Sequence, residues 1–187
     1  MSWPKSYVHF PNLECKTDGL LIRPIHSDDS EKIRNWRNDQ REVLRQRHLL
    51  TQREQEVYFD EVVKASITAK HPDQILVSVE DQNNLVAYGG LVHISWEDQR
   101  AEISFLTNGM LGDSLYERYF SIFINYIISI AKNDLRLHKI YTETYSFRHH
   151  HISILENNGL RKEGKLTDHI RLEDRFYDSI LHGVVLV

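Results

Sequence analysis

The chain has 187 residues, 41% hydrophobic and 27% charged, which is enough apolar material for one well-buried core and unlike the composition of a disordered segment. A formal net charge of −4, with no run of Lys or Arg, supplies no basic field for generic nucleic-acid binding. The single cysteine, Cys15, rules out an internal disulfide and fits a reducing cytoplasm.

The opening MSWPKSYVHF lacks the basic start and apolar run of a signal peptide. SYVHFPNLECKTDGLLIRPI then reads as a hairpin of two short extended pieces around Thr17-Asp18-Gly19, with Leu20, Ile22 and Ile25 facing a core. SDDSEKIRNWRND predicts a first helix with Ser27 as N-cap and with Ile33 and Trp36 on one face. Thr51 followed by Glu54 is a capping box, opening a second helix that ends near Ala69, before Pro72. Its apolar period is read through Val57, Tyr58, Glu61, Val62 and Ala65.

DQILVSVED alternates strictly at Ile75, Val77 and Val79, and the turn at Gln82 to Asn84 leads into LVAYGGLVHISWED. The pair Gly89-Gly90 inside that strand predicts a bulge or a close backbone approach. RAEISFLT is the next strand, and its loop NGMLGDSL feeds a long apolar helix, LYERYFSIFINYIISIAKNDL. The apolar run Tyr119 to Ala131 is broken by Ser121, Asn125 and Ser129 and is shorter than the roughly 20 residues of a membrane span. HKIYTETY returns as a strand, HHHISILENNGL is a short helix closed by Gly159, and YDSILHGVVLV ends the chain as an apolar strand. The stretch LRKEGKLTDHIRLEDRF before it has mixed polarity and no assigned element.

The expected fold is α/β (α+β), a mixed, mostly antiparallel central sheet of about seven strands flanked by helices. No repeat or linker divides it, so one domain over residues 1–187 is expected, without membrane or nucleic-acid partners. A strand that runs through a loop into a helix N-terminus offers unpaired amides and a positive dipole end to an anion.

The words LLIRPI, NWRND, AEISF, LHKIYTETY, ILENNGLRKEG and FYDSILHGVVL, in this order and spacing, resemble the GCN5-related N-acetyltransferases over nearly the whole chain. The branch they resemble includes the ribosomal-protein N-terminal acetylases and several amino-sugar acetylases. The resemblance implies acetyl-coenzyme A as donor and a primary amine as acceptor: an amino-sugar nucleotide, a small amine or a protein N-terminus. It implies direct transfer in a cleft where AEISF and HKIYTETY splay apart. Two alternatives stay open, a non-catalytic binding module of the same fold and an enzyme using a different acyl donor.

On the donor side the resemblance implies Ser104, Phe105 and Leu106 at the end of the central strand, the loop and helix start at Gly112, Asp113, Ser114, Leu115 and Tyr116, and Arg148. The family's usual Arg/Gln-x-x-Gly-x-Gly/Ala word is altered. Counting back from LHKI puts LYERYF there, and counting forward from AEISF puts GDSL there. Arg148 stands where many members have Asn, and Leu155 where many have the Tyr that protonates the departing thiolate.

An amine attacks a thioester only as the free base, so the site needs a proton acceptor. Candidates for proton transfer are Glu102, Glu143 and His151. Glu102 is weighed against a structural pairing with Arg23 or Arg100, and Glu143 against a solvated strand face shared with Tyr141 and Tyr145. His151 has a side chain whose unperturbed pKa of about 6.5 suits proton transfer. The triplet His149 to His151 is not read as a metal site, because helical neighbours point about 100° apart. For the acceptor, Trp36, Arg37, Tyr58, Tyr145 and His169 are the candidates, with Arg41 and Phe59 near them, and Trp36 is read first as a core residue. Acetyl-coenzyme A is the expected co-substrate, no metal is expected, and a homodimer is left open.

Overall fold

Both hairpins in the first part of the chain turn on two residues in the left-handed region, which is what the right-handed twist of paired strands favours. In the computed structural model, which describes residues 3–187, the first is Asp18-Gly19 (φ 47° and 81°), joining β1 (Cys15–Thr17) to β2 (Leu20–Pro24). The second is Gln82-Asn83 (φ 49° and 64°), joining β3 (Ile75–Asp81) to β4 (Asn84–Ser95). Met1 and Ser2, the start of the segment read as lacking a signal peptide, lie outside the described residues.

The chain divides into two units, residues 1–94 with 104–112, and residues 95–103 with 113–187. In the first, β2 pairs antiparallel with β3 at Ile22↔Val79, and β3 with β4 at Leu76↔Gly90. At Gly90 (φ 151°) a Cβ would stand 1.9 Å from the Ile75 carbonyl oxygen, so the close approach expected at Gly89-Gly90 is real and only glycine fits. Helix α1 (Ser30–Asp39) buries Ile33 and Trp36. It is preceded by a short 3-10 turn, Ser27–Asp29, whose cap is the His26 side chain and not Ser27.

The second predicted helix is three pieces: α2 (Gln52–Val57), a π-helical segment (Tyr58–Val63) and α3 (Lys64–Thr68). The Thr51–Glu54 capping box is present. The buried face is Gln55, Phe59, Val63, Ser66 and Ile67, while Val57, Tyr58 and Val62 are exposed. The period read through Val57, Tyr58 and Val62 is therefore corrected: already in α2 it is Gln55 and not Val57 that faces inward, and the π turn carries that face on through Phe59 and Val63.

In the second unit, β5 (Arg100–Thr107, of which the first four residues belong here) pairs parallel with β6 (Lys139–Tyr145). That ladder ends at Glu102↔Tyr141, whereas β6 runs four residues further, paired with β8 (Arg175–Val185) throughout. Helix α4 (Asp113–Asn133) makes the crossover and buries Tyr119, Phe120, Phe123, Ile127 and Ile130 at three-to-four spacing. Helix α5 (His149–Asn157) ends in a Schellman motif: Leu160 N–H donates to the Leu155 carbonyl, Gly159 N–H to that of Glu156, and Gly159 takes φ 90°.

The strand order is β1-β2-β3-β4-β5-β6-β8-β7, so the mixed, mostly antiparallel sheet has eight strands where about seven were expected. The added one is β7 (Arg161–Leu172), the mixed-polarity stretch. It is an edge strand with two register irregularities against β8, largely exposed, so no apolar alternation marks it. No helix among the described residues is long and apolar enough to cross a membrane.

One buried cluster anchors the first unit. Asp29, its side chain 6% exposed, accepts two hydrogen bonds of 2.8 Å from the Arg23 guanidinium, one of 2.7 Å from Ser78 and one of 2.9 Å from the His26 amide. Arg23 also donates to Glu80 at 2.8 Å. Burial by itself would raise the Asp29 carboxyl, but the bonds from Arg23, Ser78 and the amide hold it below the usual range. Asp29→Ala leaves a guanidinium short of a partner and is expected to cost about 3 kcal/mol in urea unfolding. Because the folded pKa is depressed, the carboxylate's contribution is complete above about pH 4 and is lost as pH falls through the folded value. Wild-type stability should therefore drop more steeply than that of Asp29→Ala on acidification below that point.

Candidate active site

The first unit holds a pocket of about 280 Å³. Arg37 of α1, Tyr58 and Phe59 of the π segment, Tyr88 of β4, Gln74 and Ser104 line it, among aliphatic side chains. The π segment contributes both Tyr58 and Phe59 to the lining, Phe59 from its buried face and Tyr58 from its exposed one. Arg37 Nη1 donates to the Tyr88 hydroxyl at 3.0 Å and Nε to Gln46 Oε1 at 3.2 Å, while the Tyr58 hydroxyl donates to Gln74 Oε1 at 2.9 Å. Of the residues expected to hold acceptor or donor, Arg37, Tyr58 and Ser104 thus share one cavity. Trp36, 8% exposed, is buried in the core. Phe105 and Leu106 are buried as well. Tyr88, Gln46 and Gln74 were not singled out by the sequence; a Tyr just before Gly89-Gly90 was the available signal.

The second unit joins three other candidates. The Tyr116 hydroxyl, on the first turn of α4, is 2.6 Å from His151 Nδ1 on α5, and Arg148 Nη2 donates to the same hydroxyl at 3.2 Å. His151 is 8% exposed and its ring stacks on Phe120 at 4.4 Å and 18°. Burial, then the positive charge of Arg148 and the neighbouring His182 and His150, holds the imidazole well below its usual pKa of about 6.5. The ring is therefore neutral, and with Arg148 donating to the phenol oxygen, the phenol proton is directed at Nδ1. That assigns the ring proton to Nε2. Burial pushes the Tyr116 phenol above its ordinary value while Arg148 pulls it down. In the sequence Tyr116 is a donor candidate through its amide, and its i,i+4 spacing to Phe120 is the sign that its ring faces α5.

Helix α4 begins at Asp113, so of the two placements of the donor word it is GDSL, not LYERYF, that stands at the helix start. Gly112 to Leu115 are exposed, and a Cβ at Gly112 would meet nothing within 4 Å. The first-turn amides have no partner within the helix. Glu102 is buried on β5 at the last pair of the parallel ladder. Arg23 is taken by Asp29 and Glu80, and Arg100 reaches Asp98 at 3.3 Å. Glu143 Oε1 lies 3.9 Å from His169 Nε2, bringing those two candidates together across the β6-β8-β7 part of the sheet. Tyr145 is buried beside Phe147 at 5.8 Å. Among the described residues no three or more His, Cys, Asp or Glu side chains are grouped to hold a metal ion.

A family model described as an acetyltransferase (GNAT) domain matches residues 22–181. The chain belongs to this family. GNAT enzymes of this kind move an acetyl group from acetyl-coenzyme A to an amine, and that is the activity class of this protein. No curated protein matches it in sequence. Among solved structures, a chimera of the spermidine N-acetyltransferase SpeG of Vibrio cholerae with hSSAT matches with a TM-score of 0.78 at 19% identity, over 90% of this chain and 96% of that one. The V. cholerae spermidine N-acetyltransferase in complex with CoA and spermine matches with a TM-score of 0.74 at 19% identity, over 91% and 97%. Its dodecameric form in an intermediate state gives 0.68 at 20%, over 91% and 95%. At these identities the likeness shows the fold, and the GNAT domain here carries its own pocket chemistry.

A neutral buried His151 has a direct readout. Its ring resonances in proton–carbon NMR spectra should show no titration midpoint near the ordinary value of about 6.5, and a midpoint there would contradict the arrangement.

Proposed function

We propose that residues 1–187 work as one acyltransferase domain in which Tyr116 delivers the proton that the departing thiolate needs. The single observation carrying this is the Arg148–Tyr116–His151 set, a phenol held between a guanidinium and a neutral imidazole in a family whose usual tyrosine position is Leu155 here. The family model supports one domain, since its match runs through both units.

In the proposed reaction the amine nitrogen attacks the thioester carbonyl, the N–C bond forms and the C–S bond breaks. The proton lost by the amine goes to the Glu102 carboxylate, directly or through water, and the thiolate takes the Tyr116 phenol proton. His151 acts through Tyr116 as a positioning residue, and Arg148 favours the transient phenolate by its charge. The diphosphate end of the donor would be held by the amides from Gly112 to Tyr116, a reading supported by the exposure of that turn and the open space at Gly112. Glu143 and His169 are kept as a second, less direct pair for proton transfer. Within the family, the branch resemblance brings in a protein N-terminus or an amino-sugar nucleotide as acceptor, and the fold neighbours bring in a polyamine. A cytoplasmic homo-oligomer is the assembly we favour, one neighbour being dodecameric.

Isothermal titration with acetyl-coenzyme A is expected to give micromolar binding, and coenzyme A release should then follow addition of a suitable amine. No binding at millimolar concentration would instead favour a non-catalytic module or another acyl donor. Tyr116→Phe and Glu102→Gln should each lower kcat by about 10²-fold while leaving donor binding in place. Unchanged turnover in either variant clears that residue of its role.

A further inference from the structure

We infer that the acceptor of this acetyltransferase carries an anionic group, a carboxylate or a phosphate, which Arg37 binds in the pocket of the first unit. A guanidinium stays charged at every working pH and is costly to remove from water without an anion. At Arg23 in the same unit that requirement is met, by Asp29 and Glu80. Arg37 has neither kind of partner. It spends Nη1 on the Tyr88 hydroxyl and Nε on the Gln46 amide oxygen, both neutral, and no carboxylate among the described residues pairs with it. Three of its five N–H donors remain.

Among the described residues, the one carboxylate that lines the same pocket, Glu54, is turned to other partners than Arg37. Glu54 Oε2 accepts from the Thr51 amide and hydroxyl, each at 2.8 Å, and Oε1 is 3.4 Å from His48 Nε2. The pocket thus presents a guanidinium fork that no carboxylate is bonded to, against aromatic and aliphatic walls, a setting in which one anionic group can be gripped at the fork. Its volume of about 280 Å³ is just under the range of drug-sized sites, so it takes a small moiety and not a whole large substrate. The π segment that brings in Tyr58 and Phe59 is the second sign of a built site, because such turns cost helix regularity and recur where ligands bind. The consequence is selectivity against the polyamines that the fold neighbours suggest: an amine with a carboxylate or phosphate at its other end is gripped, and spermidine is not.

The transfer half of this inference rests on the N-acetyltransferase reading, and the anion-binding half does not. The full chain is titrated with β-alanine, γ-aminobutyrate, O-phosphoethanolamine and spermidine while the Arg37 Nε–Hε signal is followed by NMR, and coenzyme A release is measured with the same amines. At least one anionic amine should move the Arg37 signal and be acetylated with the higher kcat/KM, the carboxylate and phosphate probes telling which anion is read. Arg37→Gln should weaken that binding by about 10- to 100-fold, and Arg37→Lys, which keeps the charge but not the fork, should recover part of it. Spermidine binding as tightly as the anionic amines, no anionic amine binding at millimolar concentration, or Arg37→Gln and Arg37→Lys both binding like wild type would each overturn the inference. Anion binding at Arg37 without any acetyl transfer would leave it standing and count against the transfer reading instead.

Discussion

The geometry of the first unit depends on one buried carboxylate. Asp29 sits where β2, β3 and the entry to α1 converge, and it receives Arg23, Ser78 and the His26 amide together. Each donor comes from a different place in the chain, so satisfying them fixes where the chain leaves β2 and the direction in which α1 starts. Ile33 and Trp36 then fall inward, and Arg37, one position further round the helix, is carried to the pocket wall. A buried ion cluster of this kind adds little net stability over an apolar replacement, but removing one member is costly, which makes it a device of placement. The orientation of Arg37 is inherited from it.

In the second unit placement works through helix packing. Phe120 stacks on the His151 ring, and one turn earlier on α4 the same face brings the Tyr116 hydroxyl to Nδ1. Arg148 reaches the phenol from the residue just before α5. The low-dielectric surroundings strengthen each of these bonds and at the same time keep the imidazole uncharged. His151, which the sequence presents as a titrating histidine, becomes a fixed acceptor, and the proposed mechanism therefore assigns proton delivery to the phenol beside it. The short parallel ladder, ending at Glu102 while β6 continues to Tyr145, leaves the far part of β6 paired on β8 alone.

The likeness to spermidine N-acetyltransferases at 19% identity illustrates how a shared backbone leaves recognition free to vary. In the anion-binding proposal, recognition lives in the side chains of one pocket, where a single arginine with no carboxylate bonded to it sets the sign of the group that fits. At the start of α4 the altered word still leaves an exposed first turn, whose backbone N–H groups do not depend on which small or polar residue carries them.

Much was decided by the chain itself. Strict alternation at Ile75, Val77 and Val79, the turn pairs Asp18-Gly19 and Gln82-Asn83, the Thr51–Glu54 box and Gly159 each act within a few residues, and local patterns of this kind set strands, turns and caps. The order of quoted words was enough for the family. Three things were legible only in three dimensions. The π turn at Tyr58 to Val63 keeps Gln55, Phe59, Val63 and Ile67, each four residues apart, on one buried face, a wider step than the 3.6-residue period by which helices are read. Strand β7 lies at an edge with both faces largely wet, so it lacks the apolar signal by which strands are read. The pairings of Arg37 with Tyr88, Tyr116 with His151 and Glu143 with His169 join residues 51, 35 and 26 positions apart. Which side chains meet across such distances is set by packing and by the satisfaction of buried polar groups, and these are properties of the folded chain and not of any one segment.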